Sequence, residues 1–183
     1  SVLMLTSSSC PPLSGDIPDM NRQCMQRNID VANYLATQKG IKTVVLTMLY
    51  GGYLNLERDV ELAALQASVE KLRAADKIVY VLAPIPRPRF DVPTGTARAV
   101  FFNRSTVPKG VDRIEYDGQY AAIIADLALI TKRHGAKLIR VDQILCEPKL
   151  CPYYIDGKAM YFDDRHPSLE AAERIAEQID PNS

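Results

Sequence analysis

Tyr161-Phe162-Asp163-Asp164-Arg165-His166-Pro167-Ser168 carries both the fold and the chemistry of this chain. It sets an acid three residues before a histidine. It then runs into Leu169, Ala172, Ile175, Ala176 and Ile179 at helical spacing. Pro167 suits the first helical position, where a missing N–H costs nothing. The pair Asp163 and His166 therefore falls at a strand-to-helix junction, where α/β folds place function. Histidine is a useful base near neutral pH because its unperturbed pKa is about 6.5. It needs a carboxylate on its other ring nitrogen to fix the tautomer and stabilise the imidazolium. The bland alternative is that Asp163 or Asp164 caps the helix and His166 is a surface residue. The chain has only two histidines. The other, His134, sits in the last turn of a helix, where the helix dipole favours it, and reads as structural.

Outward from this stretch, the chain alternates strands and helices. Val2 to Leu5 reads as a short apolar strand, and the serines at 7, 8 and 9 with Pro11 and Pro12 read as a polar loop. Met20 to Gln38 has a helical stripe stopped by Gly40. Ile41 to Leu49 is a nearly continuous apolar strand of the kind buried on both faces of a parallel sheet. Tyr50-Gly51-Gly52-Tyr53 breaks it with two permissive glycines. Glu57 to Ala75 is a helix, acidic at its start and basic near its end. Lys77 to Ile85 is a strand, followed by an extended proline-rich loop carrying Arg87 and Arg89. Those two arginines suit an anionic or sugar ligand, although a solvated loop is the ordinary reading. Thr94 to Asn103 reads as a short helix, residues 104 to 116 as irregular, Gly118 to His134 as a long helix ended by Gly135, and Ala136 to Asp142 as a strand. Tyr154 to Tyr161 reads as a hairpin turning at Asp156-Gly157. The sum is one α/β domain over residues 1–183, with a mainly parallel sheet and helices on both faces.

Composition narrows the function. The 183 residues are 47% hydrophobic and suffice for a proper core. Lysine plus arginine and aspartate plus glutamate balance at 22 each, which gives no reason to expect nucleic acid. The longest apolar run, near Val44 to Leu49, is too short to span a bilayer. The four cysteines allow three pairings. Local pairing, Cys10 with Cys24 and Cys146 with Cys151, is the simplest. The first bridge closes a loop of about 15 residues, worth roughly 3 kcal/mol in the chain-entropy model. Disulfides imply an oxidising compartment. Four buried thiols are the alternative, and zinc a third, although the spacing lacks paired knuckles.

The residues resemble a known family. A terminal Asp-x-x-His before the last helix of a small α/β domain resembles the SGNH (GDSL-like) hydrolases, which share a three-layer flavodoxin-like fold. More narrowly, the chain resembles the SGNH domain at the C-terminus of acyltransferase family 3 membrane proteins. The marks are Ser9-Cys10-Pro11-Pro12-Leu13, Cys24, an aromatic strand end at Tyr50, Pro84-Ile85-Pro86, the Cys146/Cys151 pair and the stretch from Tyr161 to Ser168. The family usually has Leu where Pro167 stands.

This resemblance implies that His166 is the general base and Asp163 its orienter. It places the nucleophile on the Ser of a Gly-Asp-Ser motif, and that motif is not in this sequence; Ser14-Gly15-Asp16 has the wrong order and place. The expectation is a domain truncated at its N-terminus. The Gly-x-Asn-Asp motif that supplies an oxyanion-hole Asn elsewhere in the superfamily is absent too. Gly51 and Gly52 stand in roughly its place as backbone donors, with Asn55 a weaker choice. The resemblance implies O-acyl transfer, usually of acetyl, to a cell-envelope polysaccharide at the periplasmic face of the bacterial inner membrane. The implied partners are an acyl donor, a polysaccharide acceptor and a membrane-embedded acyltransferase domain in the same parent chain. No cofactor or metal is implied. An esterase using the same residues, or a non-catalytic glycan-binding domain, are the alternatives.

Overall fold

The structure, a computed structural model, describes residues 2–15, 17, 18, 20–50, 58–103 and 109–179. In chain order its elements are α1 (Arg22–Thr37), β1 (Thr43–Leu46), α2 (Arg58–Ala74), β2 (Ile78–Leu82), α3 (Val92–Phe101) and β3 (Gly110–Asp112). There follow α4 (Arg113–Arg133), β4 (Lys137–Ile139), α5 (Val141–Leu145), β5 (Leu150–Pro152), β6 (Tyr154–Ile155), β7 (Lys158–Ala159) and α6 (Leu169–Ala176). The chain forms two compact units. One holds Ser1–Leu82, Ala125–Leu138 and Pro181–Ser183; the other holds Ala83–Ile124 and Ile139–Asp180.

The first unit is an α/β layer. β1 and β2 pair in parallel, Thr43 opposite Ile78 and Leu46 opposite Val81. The sheet order is β1-β2-β4. Val79 and Val81 are fully buried in β2, and Leu65, Val69 and Leu72 of α2 are buried at helical spacing. Asn21 caps α1, its side chain accepting the Gln23 N–H at 2.7 Å. At the far end of that helix the buried ammonium of Lys77 donates to the carbonyls of Gln38 at 2.7 Å and Ile41 at 2.8 Å. A lysine is buried here because two carbonyls just past the helix end satisfy its ammonium. Gly135, at φ +64°, ends α4 as expected, and the Ala136 N–H donates to Thr131 at 2.9 Å.

Cys10 and Cys24 are joined by a disulfide with a Cα separation of 5.5 Å. It ties the proline-rich loop to α1. Asn28 on the same helix donates to the carbonyls of Pro11 and Leu13 at 2.7 and 2.9 Å. Ser68 of α2 donates to Pro12 at 2.9 Å. The serines at 7, 8 and 9 are exposed, 8 and 9 in a turn, as a polar loop requires.

In the second unit β3 and β5 pair antiparallel, Val111 opposite Cys151. Cys146 and Cys151 form the other disulfide. The fully buried carboxylate of Asp142 takes Arg113 at 2.7 Å and Arg140 at 2.8 Å. Burial opposes its charge, but the two guanidinium groups outweigh burial and hold its pKa below the usual value. Tyr116 donates to the Pro84 carbonyl at 2.7 Å, and Phe90 packs edge-on against Tyr153.

The structure departs from sequence expectation in four places. Val2 to Leu5 forms no strand among the described residues, and all four side chains are exposed; a lone apolar tetrapeptide needs a paired neighbour to hold it extended. β1 is not buried on both faces, since Val45 is 38% exposed and only Val44 and Leu46 point inward. The stretch read as irregular, 104 to 116, contains β3 and the first four residues of α4, which starts at Arg113. Asp112 caps that start, its Oδ1 accepting the Ile114 N–H at 2.8 Å, so Gly118 lies inside the helix. The strand from Ala136 stops at Ile139, and Val141 and Leu145 bury one turn of α5.

Gly110 lies so close to β5 that an added Cβ would stand 2.3 Å from the Cys151 carbonyl oxygen and 2.8 Å from Leu150 Cγ. Gly110→Ala is expected to destabilise the protein by about 1–3 kcal/mol through overpacking. Urea unfolding checks this: a midpoint equal to that of the wild type contradicts it.

Candidate active site

The site is built by a hairpin and the helix behind it. Asp156 at φ +52° and Gly157 at φ +77° make the tight turn between β6 and β7 that an Asp-Gly pair favours. Lys158 bonds Glu170 at 2.7 Å, and Glu170 bonds Arg174 one turn on at 3.0 Å, so the hairpin is held to α6. The chain then makes an isolated antiparallel bridge, Tyr161 opposite Pro167. Tyr161 is 1% exposed and packs edge-on to Tyr153 at 5.8 Å. Burial pushes its phenol pKa up, and its hydroxyl has no partner among the described residues.

Residues 162–166 close a loop on this bridge. The Phe162 N–H donates to the His166 carbonyl at 2.9 Å. Asp163 Oδ1 accepts the N–H groups of Arg165 at 2.8 Å and His166 at 2.7 Å. Its Oδ2 lies 2.7 Å from His166 Nδ1. Burial disfavours the charged carboxylate, but the imidazole and the two backbone donors outweigh it and hold the Asp163 pKa at about 2. Asp164 is half-buried and pairs with Arg165 at 2.8 Å, which lowers its pKa as well.

Neither Asp163 nor Asp164 caps α6, and Pro167 is not its first residue. Ser168 is the cap, its Oγ accepting the Ala171 N–H at 3.1 Å and donating to Ala159 at 2.6 Å. Pro167 stands one residue earlier, fixed in the bridge. With Nδ1 on the carboxylate, His166 keeps Nε2 for another partner, and its side chain is 67% exposed. Such a pair has the geometry a base and its orienter require.

The structure brings Asp163 and His166 together. Gly51, Gly52 and Asn55 lie outside the described residues. His134 Nε2 lies 3.4 Å from Glu70 in the first unit. Arg89 pairs with Glu115 at 2.7 Å. The Tyr50 hydroxyl donates to the Leu82 carbonyl at 2.8 Å. A shallow depression of about 430 Å³ lined by Ser14, Gly15, Ile17, Asp59 and Val60 contains no histidine. Sequence reading missed the supporting residues Ser168, Lys158, Glu170 and Arg174. The spacing of Glu170 and Arg174 on one helix was a usable signal for part of that network. Among the described residues no helix is long and apolar enough to cross a membrane.

Residues 1–181 match the family described as the SGNH domain fused to AT3 domains, and the chain belongs to that family. The fold is also that of a solved structure, the periplasmic domain of a lipopolysaccharide acetyltransferase from Salmonella ser. Paratyphi A. The two share 16% identity at a TM-score of 0.68, over 93% of this chain and 67% of that one. No curated protein sequence matches the chain.

The depressed Asp163 pKa links the loop to pH. The folded value, about 2, lies below the ordinary 3.8. Its contribution to stability is therefore present above about pH 4 and is lost as pH falls toward 2. Wild type is expected to exceed Asp163→Asn in melting temperature at pH 5, with the gap closing between about pH 4 and 2. Thermal unfolding of both across that range is the check, and a pH-independent gap contradicts the linkage.

Proposed function

We propose that this chain is the glycan-modifying domain of an O-acyltransferase, transferring an acyl group, acetyl in the simplest case, to a hydroxyl of a cell-envelope polysaccharide. The observation that carries this reading is the Asp163–His166 pair, with Oδ2 to Nδ1 at 2.7 Å and Nε2 turned to other work. Family membership and the name of the structural neighbour support transfer as the reaction. The two disulfides support a periplasmic location, an oxidising compartment, on the outer face of the inner membrane. An AT3 membrane domain in the same polypeptide is the proposed source of the acyl group.

The mechanism is two acyl transfers. A serine hydroxyl loses its proton to His166 Nε2 as its oxygen attacks the donor carbonyl. Asp163 holds the imidazole in the receptive tautomer and stabilises the imidazolium. The donor's leaving group departs with that proton, leaving an acyl-serine. A sugar hydroxyl then attacks the ester, its proton passing to Nε2 and on to the departing serine oxygen. The product is an O-acylated sugar and the enzyme is restored. Backbone N–H groups at Gly51 and Gly52, or the Asn55 amide, are the proposed oxyanion donors. The serine is proposed to come from a Gly-Asp-Ser strand preceding Ser1 in the parent polypeptide.

His166→Ala in the parent protein is expected to lower acyl transfer about 10²–10⁴-fold without unfolding it. The assay is transfer from p-nitrophenyl acetate to purified envelope polysaccharide, read by mass spectrometry, with near-ultraviolet circular dichroism as the folding control. Full activity in a folded variant rejects the assignment.

A further inference from the structure

The bridge that closes the loop leaves two rings exposed on it, those of Phe162 and His166. Tyr161 opposes Pro167 in an antiparallel bridge, and Tyr161 points into the core. The next pair inward is Phe162 and His166, joined by the Phe162 N–H to the His166 carbonyl at 2.9 Å. Residues 162–166 bend around this bond, so Phe162 and His166 stand at the two ends of one five-residue loop. Phe162 is 74% exposed and the His166 side chain 67%. A phenyl ring therefore stands in water on the loop that carries the imidazole, a loop anchored by backbone and carboxylate bonds.

We propose that Phe162 is the stacking platform for a pyranose ring of the acceptor, an aromatic subsite next to the base. This rests on the glycan-acceptor reading above. The ring's surroundings select the ligand. Every other residue of the loop tip, from Asp163 through His166, is polar. Asp163 is committed to His166, and Asp164 and Arg165 neutralise each other at 2.8 Å. One apolar ring among charged and polar side chains is too small a face for a lipid or an apolar protein surface. It fits a pyranose, which offers a flat C–H face to the electron-rich face of the ring and hydroxyls at its edge. A sugar stacked there holds a hydroxyl within reach of the neighbouring Nε2. Phe162 is in this sense a positioning residue for the acceptor.

Binding tests this without catalysis. Saturation-transfer NMR is run on the chain with methyl glucoside, galactoside, mannoside and rhamnoside pyranosides, and with octanoate. The expected result is saturation of the ring C–H protons of at least one pyranoside, about three- to tenfold weaker for Phe162→Ala and retained for Phe162→Trp. Equal saturation by Phe162→Ala, no pyranoside saturated by wild type, or octanoate saturated in their place overturns the platform. The His166 imidazole signals, unchanged in Phe162→Ala, show that the loop is intact; if they move, failure of Phe162→Trp to restore binding overturns the proposal. His166→Ala separates the two readings: retained acyl transfer removes the catalytic assignment and leaves pyranoside saturation as it was.

Discussion

One carboxylate organises the functional end of this protein. The two oxygens of Asp163 take three donors, two backbone N–H groups and one imidazole nitrogen, all within four residues. The backbone bonds fold the loop, and the side-chain bond aims the histidine. Each depends on the carboxylate staying ionised, which the same donors ensure. Bridge, loop and helix cap then follow in order: Tyr161 with Pro167, Phe162 with His166, and Ser168 with Ala171. A base oriented in this way rests on local chain geometry, with the hairpin and its ion pairs behind it.

Local chemistry was legible in the sequence. The Asp156-Gly157 turn, the glycine ending α4 and the pairing of nearby cysteines rest on interactions between residues at most 14 positions apart, and the structure contains all three. The pair Asp163 and His166 converges for the same reason. The helices α1 and α2 and the strands β1 and β2 lie within the stretches whose periodicity marked them.

Long-range chemistry was not legible. Asp142 read as the end of a strand. Its place in a helix is set with Arg113, 29 residues away, and with Arg140. Lys77 read as the polar start of a strand, yet it is buried against carbonyls 36 and 39 positions back. Gly118 read as a helix start. The Asp112 cap begins the helix five residues earlier, and Tyr116 and Tyr120, both buried, span the glycine. Val2 to Leu5 shows the reverse error: apolar composition alone does not make a strand without a neighbour to pair with.

The three-residue separation of Asp163 and His166 also bears on how the domain assembles. Closing so short a loop costs little chain entropy, and the cost grows only with the logarithm of the number of residues enclosed. The pair therefore forms from neighbouring chain, ahead of contacts that must bring distant segments together. The orientation of the imidazole is set by contacts within its own loop. Changes elsewhere in the fold leave that geometry in place.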